Sequence, residues 1–331
     1  MKNYPVSKVC LAHVSSEFFD VDKTVDKIIL VIREASKNAA NIVVFSEAFL
    51  PGFPVWAALK SPTQNNHFFK TVAQNSIYLD GPEISQICKV ASELQIMVSL
   101  GFNELSQQSL GCIWNSNIII SDKGEILSHH RKIAPTFFEK LVWAPGDGAG
   151  LQVHETVIGK LGVLICGENT NPLARYSLLA QGEQIHISTY PPVWPTHYPF
   201  SDDNYDLRSA IEIRAKAHSF EGKLFNLVCA GFLDQNSIKI LSNQDSEIAE
   251  YLEKIPNGIS MITGPNGETV SDVLQDDEGL LYGEIDISEC VIPKQYHDVV
   301  GGYQRFDIFN LTVNKTPQNP IKFNDNYDEI C

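Results

Sequence analysis

Three polar residues stand at the ends of apolar, strand-like runs: Glu47 just beyond NIVVF (Asn41 to Phe45), Lys132 after EILSHHR, and Cys166 after LGVLI. A carboxylate, an ammonium and a thiol together are the parts of nucleophilic catalysis. A free thiol has a pKa near 8.5 and is only a few per cent thiolate at pH 7, so it needs a base and a positive charge within reach. Taken singly, each residue also has a structural explanation: Glu47 as a cap, Lys132 as a solvated charge, Cys166 as a small buried hydrophobe. In open α/β sheets the ends of strands converge on one rim where ligands bind, which is the reason to follow the three together.

The elements that would position them alternate along the chain. Lys8 to Val14 reads as a buried strand, and Thr24 to Ala35 as a helix with Val25, Ile28, Ile29, Ile32 and Ala35 on one face and Asp22 as N-cap. NIVVF is a second strand ending at Ser46-Glu47 before the PGFP loop, and helices over His67 to Ile77 and Glu83 to Leu94 lead to a third strand, Ile96 to Phe102. From Ile113 a hairpin with a turn at Asp122-Lys123-Gly124 delivers Lys132. Leu151 to His154 and Lys160 to Ile165 are strand-like, placing Cys166 at an elbow before a helix over Asn171 to Ala180. A strand at Ile185 to Thr189, a helix at Arg208 to Glu221 and a strand at Phe225 to Ala230 follow. Ile259 to Thr263 and Leu281 to Ile287 read as a closing pair, and the charged stretch Ser237 to Asn257 as an exposed loop, with an insertion at the pocket mouth or an oligomer contact as the alternatives. Periodicity alone supports an α/β fold.

Composition narrows the function. In 331 residues there are 40 Asp and Glu against 25 Lys and Arg, a formal charge of −15, the wrong sign for tracking nucleic-acid phosphates or an anionic membrane surface. No apolar run approaches the roughly 20 residues of a membrane helix, and MKNYPVSKVC carries no secretory pattern, so a cytoplasmic protein is expected. Cys10, Cys88, Cys112, Cys166, Cys229, Cys290 and Cys331 make an odd set without CxxC or zinc-ligand spacing, arguing against a disulfide framework and a structural metal. There is no G-x-S-x-G elbow, P-loop, H-E-x-x-H or strand-anchored G-x-G-x-x-G; GDGAG at Gly146 to Gly150 is too short.

The local sequence around the three residues then carries a resemblance. FSEAFLPGFP (Phe45 to Pro54), HRKIAPTFFEKLVWAPGDG (His130 to Gly148) and GVLICGENTNPLARYSLLAQGEQIHIS (Gly162 to Ser188) resemble, in order and spacing, the three signature blocks of the nitrilase branch of the carbon-nitrogen hydrolase superfamily. VVGGYQRFDIFNLTVN (Val299 to Asn314) is similar to that branch's C-terminal block. With no internal repeat or linker, residues 1–315 read as one domain, and 316–331, rich in Asn, Asp and Pro, as a poorly packed polar tail. The resemblance implies a four-layer αββα sandwich, two mixed β-sheets flanked by helices. It implies Glu47 as general base, Lys132 as transition-state stabiliser, Cys166 as nucleophile and Glu139 as second carboxylate, with no metal or organic cofactor. It implies a nitrilase that converts an organic nitrile and water to a carboxylic acid and ammonia, and a homodimer or a longer helical homo-oligomer. Amidases and cyanide-degrading relatives with the same residues, and a non-catalytic scaffold relative, are the alternatives.

The chain departs from the family pattern at Gly167, where many nitrilases have Trp, which removes bulk beside the nucleophile; at Ser46, where Pro is commoner; and in the C-terminal block, which lacks the His of Gly-His-Tyr. Glu168 and Arg175 read as structural partners on the elbow and its helix, and His129 and His130 as residues behind the reacting groups. Phe53, Pro54 and Trp56 follow Glu47, and Tyr190 to Trp194 follow the next strand. With Gly167, the aromatic residues Phe53, Trp56, Tyr190 and Trp194 are expected to line an apolar pocket for an aryl, arylalkyl or medium aliphatic nitrile.

Overall fold

The computed structural model describes residues 4–199, 205–318 and 321. Its strands form two mixed sheets. In the first, β1 (Val6–His13) pairs in parallel with β2 (Ile42–Phe45), which pairs in parallel with β3 (Met97–Leu105). Antiparallel β4 (Ile113–Ile120) and β5 (Ile126–Arg131) extend one edge, and β11 (Gly279–Asp286) lies antiparallel on the other side of β1. The second sheet runs β10 (Met261–Thr263), β9 (Phe225–Ala230), β8 (Ile185–Tyr190), β7 (Gly159–Ile165) and β6 (His154–Thr156), parallel through β9, β8 and β7.

The sheets pack face to face. Val9, Leu11, Ile42 and Val44 from one meet Leu161, Val163, Ile185, Ile187, Leu227 and Cys229 from the other in a single cluster. Because both faces of the central strands are covered, those strands are apolar runs without alternation, and this is what makes them readable in the sequence. Outside the first sheet lie α1 (Val21–Lys37) and α3 (Pro82–Leu94), whose Ile28, Ile32, Ile84 and Ile87 pack on Val43, Phe45, Val98 and Leu100. Outside the second lie α4 (Pro172–Leu179) and α5 (Leu207–Gly222). The architecture is therefore the αββα sandwich expected. A short α2 (Asn66–Asn75) precedes α3, and α8 (Val291–Tyr296) follows β11.

Four expectations change. The cap of α1 is Asp20, whose side chain accepts from the Lys23 amide; Asp22 lies inside the first turn, where its charge still suits the helix terminus. Leu151 to Val153 are not strand, and β6 begins only at His154. Ile259 to Thr263 and Leu281 to Ile287 do not pair: after the Gly264 to Gly267 turn the chain bonds back locally, Val270 N–H to Ile262 O at 2.9 Å, and then crosses to the other sheet, where β11 joins β1. Ser237 to Asn257 is not an exposed loop but mostly two helices, α6 (Gln235–Ser242) and α7 (Ser246–Lys254), capped by Asp234 and Asp245. Their charges face solvent while Ile238, Leu241, Ile248, Tyr251 and Leu252 join the cluster that contains Cys166. The expected polar tail falls almost wholly on residues outside those described.

Candidate active site

Each of the expected reacting groups is placed by a different element. Glu47 follows β2 directly. Lys132 follows β5 and is fixed from both sides, its amide donating to Asn115 O at 2.8 Å and its carbonyl accepting from the Gly146 amide at 2.8 Å. Glu139 sits on a one-turn helix, Phe137–Leu141, and accepts the Thr136 amide at 2.7 Å. Cys166 follows β7 directly with φ +50°, a conformation uncommon for a non-glycine residue. The chain turns there into the one-turn helix Cys166–Thr170, and Asn171 then caps α4 by accepting the Leu173 amide, with Pro172 at the first helical position.

These elements bring the four side chains together in the protein interior. Lys132 Nζ donates to Glu47 Oε1 at 2.6 Å and to Glu139 Oε2 at 2.6 Å, and Asn115 Nδ2 donates to the same Glu47 oxygen at 2.7 Å. Carboxylate oxygens of Glu47 and Glu139 and the Cys166 thiol lie within 4.8 Å of one another. The ammonium bridges the two carboxylates and places a positive charge at their centre. Glu47 Oε2 and Glu139 Oε1 are buried with no hydrogen-bond partner among the described residues, leaving one free acceptor on each carboxylate beside the thiol.

Burial decides the protonation states. Glu47 is pushed up from 4.5 to about 7, first by desolvation, with the Lys132 charge opposing and Glu139 adding to the rise. Glu139 also moves up, again through burial against the pull of Lys132. The carboxylates hold Lys132 firmly protonated against its own desolvation. Cys166 is raised well above its ordinary value by burial and by the Glu47 charge, and the Lys132 charge only partly offsets this. The resting group is thus a thiol. A thiolate stabilised in advance by the ammonium, the simplest reading of the three residue types, gives way to a thiol beside a base whose pKa lies near neutrality.

Further polar contacts brace the segments that carry the cluster. Glu168, one residue beyond Gly167, accepts from His130 Nε2 at 2.8 Å, from the Ile165 amide at 2.8 Å and from the Ile133 amide, tying the elbow to the segment that carries Lys132. His129 donates to Glu104 at 2.7 Å, and Arg131 pairs with the same carboxylate while stacking 3.8 Å over the Trp114 ring. Arg175 pairs with Glu221 at 2.8 Å. Glu168, Arg175, His129 and His130 are therefore framework contacts, as their positions suggested.

Of the expected pocket residues, Phe53, Tyr190 and Trp194 fall in one buried cluster with Cys166. Phe53 lies 6.1 Å from the Trp194 ring, and both meet rings that sequence reasoning missed: Trp143 at 5.5 Å from Phe53, and Phe138 at 4.6 Å from Trp194. Trp143 also lies 5.7 Å from Lys132 Nζ and donates to Asn103 at 2.7 Å. Trp56 belongs to the same cluster but stacks on Phe68, 5.7 Å away, and lines a cavity of about 270 Å³ with Leu59, Asn65 and Leu241, to whose lining Cys166 does not contribute. Asn115 was also missed. The hairpin register, which sets Ser116 opposite Arg131, puts Asn115 beside Lys132 and was the available signal.

Residues 8–291 match the carbon-nitrogen hydrolase family. A nitrilase of Penicillium rubens is 32% identical over 92% of this chain and 92% of its own length. A cyanide hydratase of Gibberella zeae is 34% identical over 93% of this chain and 87% of its own. Among solved structures, Saccharomyces cerevisiae Nit3, a member of branch 10 of the nitrilase superfamily, superposes with a TM-score of 0.68 at 19% identity, covering 92% of this chain and 97% of that one, and shares the fold.

Proposed function

For a chain that belongs to the carbon-nitrogen hydrolase family, in its nitrilase branch, we propose hydrolysis of an organic nitrile, aryl, arylalkyl or medium aliphatic, to the carboxylic acid and ammonia, with Cys166 as the nucleophile. The observation that carries this reading is the buried meeting of a thiol, two carboxylates and one bridging ammonium.

Glu47 takes the thiol proton as Cys166 Sγ bonds to the nitrile carbon. Charge develops on the nitrile nitrogen, where Lys132 and the Gly167 amide stabilise it; one such donor is worth about 10²–10³ in rate. Glu47 passes the proton on to that nitrogen, giving a thioimidate and freeing the carboxylate for the next step. Water, deprotonated by Glu47, adds to its carbon, and ammonia leaves as the thioester forms. A second water cleaves the thioester to release the acid and restore the thiol. Glu139 shares the ammonium with Glu47 and keeps it aimed. Trapping the covalent intermediate tests the scheme: rapid acid quench with a slow nitrile, followed by peptide mass spectrometry, is expected to find the adduct on Cys166.

The rings of Phe53, Phe138, Trp143 and Trp194 beside the thiol favour a substrate with an apolar body. The similarity to a cyanide hydratase supports a second reading, hydration of hydrogen cyanide, which has no apolar body for those rings to hold. Residues 1–315 are taken as one domain, an extent supported by the core shared between the sheets. Self-association into at least a dimer belongs to the same proposal, supported by exposed apolar side chains on the outer helices, Leu173 on α4, Ile213 and Phe220 on α5 and Tyr296 on α8. So does a cytoplasmic setting, where a reducing environment keeps a catalytic thiol free. No helix among the described residues is long and apolar enough to cross a membrane.

A further inference from the structure

From the elbow a polar chain runs through the interior, ending on the backbone of the cysteine. Asn169 Nδ2 lies 3.1 Å from the carbonyl of Cys166 and 3.2 Å from that of Leu164. Its Oδ1 lies 2.9 Å from His186 Nε2 and 3.1 Å from Ser188 Oγ. His186 Nδ1 lies 2.7 Å from Glu183 Oε1, and Glu183 Oε2 lies 2.9 Å from His218 Nε2. Asn169, Glu183, His186 and His218 are all buried. Gly162 of β7 makes room for the chain: a Cβ there would come within 2.2 Å of Glu183 Oε1.

The hydrogen-bond directions follow from one fact. Backbone carbonyls only accept, so the Asn169 atom facing both of them is the NH₂ and the other is the acceptor oxygen. His186 must then donate from Nε2. Glu183 remains ionised, held down to about 2 because the contacts to His186 and His218 outweigh the desolvation that would raise it. Its Oε1 accepts from His186 Nδ1, which anchors the ring that faces Asn169. His218 donates from Nε2, and its Nδ1 has no partner among the described residues; burial, more than the neighbouring His186, lowers it to about 4, and it is neutral.

The carbonyl that Asn169 holds belongs to the peptide whose N–H is that of Gly167. A donor on a peptide oxygen fixes the plane of the group and draws electron density toward that oxygen, making the N–H at its other end a stronger donor. The same amide, by also holding the Leu164 carbonyl, clamps both sides of the positive-φ residue. We propose that His186 and Asn169 are positioning residues of the hydrolysis: His186, anchored on Glu183, orients and polarises Asn169, and Asn169 fixes the Cys166–Gly167 peptide so that its N–H points at the nitrogen on which charge develops. This rests on the hydrolase reading given above and adds to it residues that touch no substrate.

The test compares His186→Gln, His186→Leu and Asn169→Leu with the wild type on phenylacetonitrile, alongside the rate of Cys166 alkylation by iodoacetamide. Alkylation forms an S–C bond and expels iodide, develops no charge on a substrate nitrogen, and so makes no demand on the Gly167 amide. His186→Leu and Asn169→Leu are expected to lower kcat about tenfold or more, short of the 10²–10³ for deleting an anion-stabilising donor outright, with KM and alkylation within about threefold of wild type. His186→Gln, which keeps a donor for Asn169, is expected to recover most of kcat. Alkylation falling in step with kcat, or equal losses in His186→Gln and His186→Leu, would reduce the chain to a structural role and overturn the proposal. A wild type that alkylates at Cys166 yet turns over no nitrile would overturn the hydrolase reading and this role with it; an active wild type with unaffected variants would overturn this role alone.

Discussion

Thr136 stands in the space that a side chain on Gly167 would need: a Cβ at that position would lie 2.7 Å from Thr136 Oγ1. The absence of bulk after the nucleophile is therefore not an enlargement of the site. The volume is taken by a hydroxyl from the segment that also carries Glu139.

The pair predicts non-additive mutations. Gly167→Ala alone overpacks the elbow and is expected to destabilise the fold by ~1–3 kcal/mol and to displace the Cys166 peptide, lowering kcat. Thr136→Ala removes the clashing oxygen and leaves only the Cβ, an ordinary 3.8 Å contact. The double variant is expected to recover stability, with a coupling of about 0.5–3 kcal/mol in a thermal or urea double-mutant cycle. Strict additivity would show that the two positions do not share that space.

A second prediction concerns the pH profile. With Glu47 pushed up to about 7, the base form grows as pH rises through that value. Log kcat/KM is expected to climb with unit slope below about pH 7 and to level above it, and Glu47→Gln to lose about 10²–10⁴ of activity across the range. A flat profile down to pH 5 would remove Glu47 from the role.

Stability should respond to acid through other carboxylates. Glu104 and Glu183 are held down to about 2, their desolvation outweighed by His129 and Arg131 in one case and by His186 and His218 in the other. A lowered folded-state pKa contributes stability that is present above the ordinary value near 4.5 and is lost as pH falls toward 2. Glu47 has the opposite sign: the folded state binds the extra proton between about 4.5 and 7, so its contribution declines as pH rises through that window. Glu104→Gln is expected to cost about 1.5–3 kcal/mol at pH 7 and progressively less toward pH 3, followed by thermal midpoints. An equal deficit at both pH values would contradict the assignment.

The strand ends that carry Glu47 and Cys166 were legible because buried central strands are apolar on both faces and stand out as NIVVF and LGVLI. Lys132 was legible through the turn at Asp122 to Gly124. The meeting of these residues was not in any periodicity; it depends on two sheets stacking, and only the resemblance supplied it. Helices α6 and α7 were hidden because each is short and charged, with apolar residues whose partner, the ring cluster around Phe53 and Trp194, comes from distant segments. Asn169 and His186 carry no such signal, since their role emerges only when β7 and β8 lie side by side.

The ring cluster makes a prediction about selectivity. Phe53→Ala and Trp194→Ala remove apolar contact worth about 1.5–3 kcal/mol each for a bulky group, or roughly 10- to 100-fold in kcat/KM for an arylalkyl nitrile. A short alkyl nitrile is expected to lose much less. Equal losses on both substrates would mean that these rings pack the core and do not hold substrate.

The most direct test of the account is ammonia release by the purified protein and its Cys166→Ala variant over matched nitriles and amides bearing aryl, arylalkyl and alkyl groups. Ammonia and the carboxylic acid are expected from arylalkyl or aryl nitriles, and none from the variant. Ammonia from amides alone, or none from any organic nitrile while hydrogen cyanide is converted to formamide, would contradict the nitrile assignment, and undiminished release by Cys166→Ala would contradict the nucleophile itself.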